Sequence, residues 1–162
     1  MPVPAVIAGA TSEFALNTGS LQKAVADLTP EQWLARPSDH SNHVTWIVGH
    51  LIWGRHALIN RAGGKWSCPG LEPFARSAKL DASASYPAPE ALLALWRDSA
   101  AALDATLNEL TPEALAAPAP PGPPTPDGKL SGFIGVLAWH ETYHLGQVAY
   151  LRSWLGHSAI FG

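Results

Sequence analysis

A single cysteine, Cys68, is all the thiol chemistry the chain carries, and one thiol closes no internal disulfide. A lone unpaired thiol fits a reducing compartment, so a cytoplasmic location is expected. Charge is also sparse: charged residues make up 14% of the chain, and its ten Lys and Arg are dispersed rather than clustered. With a net charge of −3 and pI near 6.1, there is no basic face for phosphates, which argues against nucleic-acid binding. No apolar run approaches the roughly 18 residues a membrane span needs, and no Lys or Arg precedes the short apolar run at the N-terminus. Neither a membrane helix nor a signal peptide is expected. Sustained strand-like alternation is missing too. What remains is 162 residues, 47% of them hydrophobic, with a mean hydropathy of +0.04. That suits one globular domain over residues 1–162 with a core of its own.

Four stretches carry helical periodicity. From about Ala5 to Leu28, Ile7, Phe14, Leu21 and Leu28 recur every seven residues with Val25 between them, the stripe of a helix in a bundle. Leu28-Thr29-Pro30-Glu31 ends it and opens a short turn, since Thr caps, Pro suits a first helical position and Glu favours the positive end. A second helix is expected from a cap at Ser41 or Asn42 to about Arg61, stopped by Gly63-Gly64. It is apolar almost all round, leaving a narrow wet sector of Thr45, Gly49, His56 and Asn60. His50 falls in its apolar arc with Trp46 and Trp53, while His43 lies at its frayed start. Arg55 lies on the main apolar stripe, where it either snorkels to the end of the bundle or carries its charge into a pocket; snorkelling is the expectation.

Residues 63–88 show breakers and no period, which predicts a long surface crossover able to border a site. A third helix follows from about Pro89 to Leu110, striped by Leu92, Trp96, Leu103, Leu107 and Leu110. Leu110-Thr111-Pro112-Glu113 then repeats the motif at Leu28. The repeat suggests two related helix pairs whose histidine-bearing members face each other. Six prolines between Pro118 and Pro126 predict an extended or mobile linker before a fourth helix capped by Ser131. The sum is an all-α four-helix bundle with a long crossover between its second and third helices.

The fourth helix, residues 131–155, carries the chemistry. At 100° per residue Phe133, Leu137, His140, His144, Gln147, Val148, Leu151 and Leu155 share one arc. Burying an imidazole or a carboxamide among leucines costs roughly 1–3 kcal/mol unless a partner satisfies it. Two imidazoles one turn apart aim lone pairs at a common point, and a divalent metal is the simplest shared partner; the alternative is a pair of core histidines bonded to carbonyls. With His50 facing them, His140 and His144 would complete a three-imidazole site with open coordination positions, suited to hydrolysis, isomerisation or thiol transfer. Gln147 either orients a ligand or satisfies a carbonyl.

His140-Glu141-Thr142-Tyr143-His144 also spells the H-E-x-x-H of zinc proteases, a minor hydrolase alternative. No Asp or Glu follows Glu141 to act as a third ligand, and Glu141 projects about 80° from the midpoint of the two histidines. Glu141 and Gln147 are the candidate catalytic residues, neither with an assigned role. Nothing near Cys68 in sequence would activate it, so a spectator thiol is expected. Trp139, Tyr143, Tyr150 and Trp154 share one flank of the fourth helix, where they line a pocket, a helix contact or a homodimer seam.

The run from His140 to Gln147, preceded by Gly49-His50-Leu51 in a tryptophan-rich helix, resembles the DinB/YfiT-like metalloenzyme superfamily over nearly the whole chain. The resemblance implies a four-helix bundle with three histidines on a divalent ion such as zinc or nickel, one from the second helix and an i, i+4 pair from the fourth. Those positions fall on His50, His140 and His144. It further implies chemistry like that of relatives that are thiol-dependent S-transferases or a mycothiol-dependent isomerase: a small-molecule substrate, with a low-molecular-weight thiol as cosubstrate. The other class of answer is a non-catalytic protein that uses the metal to hold a small ligand.

Overall fold

A computed structural model of the chain describes residues 3–81 and 83–161. It consists of α1 (Ala8–Val25), α2 (Pro30–Leu34), α3 (Val44–Arg61), α4 (Pro89–Asn108), α5 (Pro112–Ala116) and α6 (Leu130–Trp154), with single 3-10 turns at Ala5–Ile7 and Glu72–Phe74. Among the described residues the only strand-like pairing is an isolated bridge between Pro118 and Lys129. The four long helices form a ring in which α1 packs on α6, α6 on α3, α3 on α4 and α4 on α1. This is the expected four-helix bundle.

The heptad residues of the first stretch are buried as their spacing requires, Phe14 and Leu21 within α1, Ile7 in the 3-10 turn before it and Leu28 just beyond its end, and so is the α4 stripe through Leu92, Trp96, Leu103 and Leu107. Each Leu-Thr-Pro-Glu motif starts a short helix. Thr29 accepts from the Gln32 amide and Thr111 from the Ala114 amide, with Pro30 and Pro112 in the first turn. The two copies precede the segments leading to α3 and α6, which pack against each other.

Several local expectations change. His43, not Ser41 or Asn42, caps α3: its Nδ1 accepts from the Trp46 amide at 3.0 Å, and its ring is buried rather than frayed. Ser131 does not cap α6. It sits inside the first turn, where its hydroxyl donates to Asp127, whose other oxygen accepts from the Lys129 amide. The wet sector expected on α3 is dry in its first half, because Thr45 is buried and donates to the Trp33 carbonyl and the ring of Phe74 covers Gly49. The crossover is therefore more than a surface strap, since Cys68, Leu71 and Phe74 enter the core. The proline segment is pinned at its base by Ala119 N–H to the Gly128 carbonyl at 2.8 Å and Leu130 N–H to the Ala117 carbonyl at 3.0 Å. Its Gly122 backbone lies against Phe133, so it is a closed loop, not a free linker. No described helix is long and apolar enough to cross a membrane.

Candidate metal centre

Periodicity placed His140 and His144 on the inner arc of α6, and the ring of helices brings His50 of α3 to meet them. Their ligand atoms lie within 4.8 Å of one another. His140 Nε2 is 3.3 Å from His50 Nε2 and 3.0 Å from His144 Nε2. The outer nitrogens decide what this cluster can do. His50 Nδ1 lies 2.7 Å from the Phe74 carbonyl oxygen. That oxygen only accepts, so Nδ1 carries the proton and Nε2 keeps its lone pair. His144 Nδ1 lies 2.7 Å from Gln147 Oε1, with the same consequence. His140 can donate its single proton to one neighbour at most, so lone pairs meet head-on in the rest of the cluster. A shared cation relieves that repulsion, and the donor set of three imidazoles fits a divalent ion.

Protonation points the same way. Burial lowers all three imidazole pKa values. His140 falls to about 4, through burial first and then the neighbouring charges of His144, His50 and Arg76. At neutral pH these are neutral imidazoles, the form that binds metal. His50 is further held between two indoles, Trp46 at 5.0 Å and Trp53 at 5.6 Å between ring centroids, both nearly parallel to it. The three tightly packed rings restrict its orientation.

Arg55 and Glu141 stand apart from this cluster. Arg55 does not snorkel: it is 1% exposed, its Nε donates to Glu141 Oε1 at 2.6 Å and its Nη2 to Glu141 Oε2 at 2.9 Å and to Thr18 Oγ1 at 2.9 Å. Its guanidinium stacks on Trp96, 3.5 Å from the ring centroid. Burial pushes the Glu141 carboxyl above its ordinary pKa, an effect the Arg55 guanidinium offsets only in part. Both carboxylate oxygens are thus committed to the guanidinium, and Glu141 joins α6 to α3 through the core. Only half of this pair stood out in the sequence: Arg55 lies on the apolar stripe of α3, whereas Glu141 sits among the polar residues His140, Thr142 and His144.

Gln147 touches the cluster directly, through His144. Beside it opens a cleft of about 460 Å³. Its wall includes Ser41, Asn42, Tyr143, Gln147 and Tyr150, and none of its described lining residues is Lys, Arg, Asp or Glu. Tyr143 packs its ring edge-on against His144 at 5.2 Å. Trp139 and Trp154, on the same flank, are exposed to solvent. Cys68 is buried, and burial raises its pKa, which leaves an unreactive thiol. Two features of the centre had no sequence signature. The Phe74 carbonyl is a backbone group in an aperiodic loop, and the Tyr143 contact depends on a rotamer.

An all-helical bundle with three convergent neutral histidines defines a class of protein with a site compatible with a metal ion. The family model of the DinB superfamily matches residues 13–148, a span that includes all three histidines, and the chain belongs to that superfamily. Among curated proteins, no sequence matches the chain.

Proposed function

We propose that the protein is a metal-dependent enzyme that brings a small-molecule electrophile and a low-molecular-weight thiol together at the three-histidine centre. The observation that carries this reading is the convergence of three neutral Nε2 atoms, two of them with their outer nitrogens already committed as donors. His50, His140 and His144 would hold the ion. Three protein ligands leave coordination positions for exogenous groups, whereas structural zinc sites normally have four. A bound divalent ion such as zinc or nickel would lower the pKa of a thiol or water and polarise a carbonyl.

The chain's own residues supply the rest. Phe74 and Gln147 fix which nitrogen of His50 and His144 faces inward. The cleft beside Gln147, whose described lining includes His40 but no Lys, Arg, Asp or Glu, offers hydroxyl and amide groups from Tyr143, Tyr150, Asn42 and Ser41 for orienting a polar portion of a substrate. Glu141 takes no proton in this scheme, since its carboxylate serves Arg55, and that counts against a protease-like hydrolase. Turnover of a thiol with an activated electrophile should disappear on chelation and return on adding zinc or nickel. Thiol binding without turnover would make the protein a metal-dependent binder instead.

A further inference from the structure

His50 and His144 each donate an Nδ1–H hydrogen bond to an oxygen, but the two oxygens differ in kind. His50 uses the backbone carbonyl of Phe74, which no substitution of that residue's own side chain removes. His144 uses the side-chain amide of Gln147, three residues further along α6 and on the wall of the cleft. Residues three apart on a helix lie on one face, so α6 itself sets this spacing. The other half of the amide is also engaged, because Gln147 Nε2 donates to the Tyr143 hydroxyl at 3.4 Å. That contact turns the amide oxygen towards His144. Tyr143 in turn packs against the His144 ring.

We propose that Gln147 is a positioning residue of the metal centre: by accepting the Nδ1 proton of His144 it selects the tautomer whose Nε2 can bind a metal and holds the ring in place. The proposal rests on the metal reading above. Without this acceptor the proton of a neutral imidazole is free to move to Nε2, and His144 then offers its lone pair on the wrong side. Partners of this kind at metal-bound histidines are worth about 10–100-fold in metal affinity. Gln147 and Tyr143 both line the cleft and both touch His144, so the cleft wall and the centre share these two side chains.

Co²⁺ binding to the full chain tests this without any assay of activity, by visible absorption and by competition against a chelator. Gln147→Leu should weaken Co²⁺ binding by about 10–100-fold and alter the absorption bands, while the metal-free protein keeps its helical circular dichroism. Gln147→Glu should bind within a few-fold of the wild type, since a carboxylate accepts the same proton. If Gln147→Leu folds poorly, Gln147→Met, with no branch and no acceptor, carries the same expectation. Wild-type protein that takes up Co²⁺ while both acceptor-free variants bind it equally well overturns this proposal alone. A Glu variant as weak as Leu also overturns it, because the hydrogen bond would not be the cause. Wild-type protein that takes up no Co²⁺ overturns the metal reading and this proposal together.

Discussion

The guanidinium of Arg55 and the carboxylate of Glu141 lie buried in the bundle, hydrogen-bonded through two N–H groups and backed by Trp96. Burying such a pair is costly, and its net worth is modest; removing one partner is what hurts, by about 3–5 kcal/mol, because the other charge stays behind unpaired. Glu141→Gln should therefore lower the unfolding free energy by about 3 kcal/mol, read from urea denaturation, yet leave metal content unchanged. A Glu141→Gln protein with wild-type stability but no turnover would instead make Glu141 a group of the reacting centre. At this scale the sequence was only partly legible. A helical wheel puts Arg55 on the apolar stripe and Glu141 off the histidine arc, but it cannot show that the two meet, so snorkelling looked preferable. The contact depends on how α3 and α6 are set against each other, which no single helix encodes.

The same division holds for whole elements. Long helices were legible because burial demands a 3.6-residue period: α3 ends at Arg61 and α4 starts at Pro89, where stop and start residues stand. The crossover was legible as a long aperiodic span, but not what it brings to the centre, which is one aromatic ring and one carbonyl. Phe74 lies flat enough on α3 that a Cβ at Gly49 would run into its ring, and the carbonyl of this same residue holds His50. Gly49 thus lets the crossover approach the centre. Gly49→Ala should push Phe74 outward at a cost of about 1–3 kcal/mol, as overpacking does, and should weaken metal binding by about tenfold as His50 loses its partner. Urea denaturation and chelator competition read the two effects. If both stay at wild-type values, the crossover does not support the centre.

Taken as a molecule, the chain pairs two halves that each begin a short capped helix at Leu-Thr-Pro-Glu and go on to a long histidine-bearing helix. The repeat in the sequence anticipated that α3 and α6 would face each other. It said nothing of the buried Arg55–Glu141 tie or of the Arg152–Asp27 ion pair that joins the end of α6 to the end of α1, because charge pairs leave no period. Leucine and aromatic stripes from all the long helices fill two core clusters, with Trp46 of one of them stacked on His50. A metal held by only α3 and α6 would then be an addition to a bundle expected to fold without it. The most direct measurement is elemental analysis of untagged wild-type protein beside a His140→Ala, His144→Ala double variant, each reconstituted with zinc and freed of excess, with circular dichroism on both. The account predicts about one ion per chain in the wild type, none retained by the variant, and the same cooperative helical melt in metal-free samples of each. A variant that keeps its full complement of metal, or a wild type that unfolds at room temperature when the metal is removed, would contradict it.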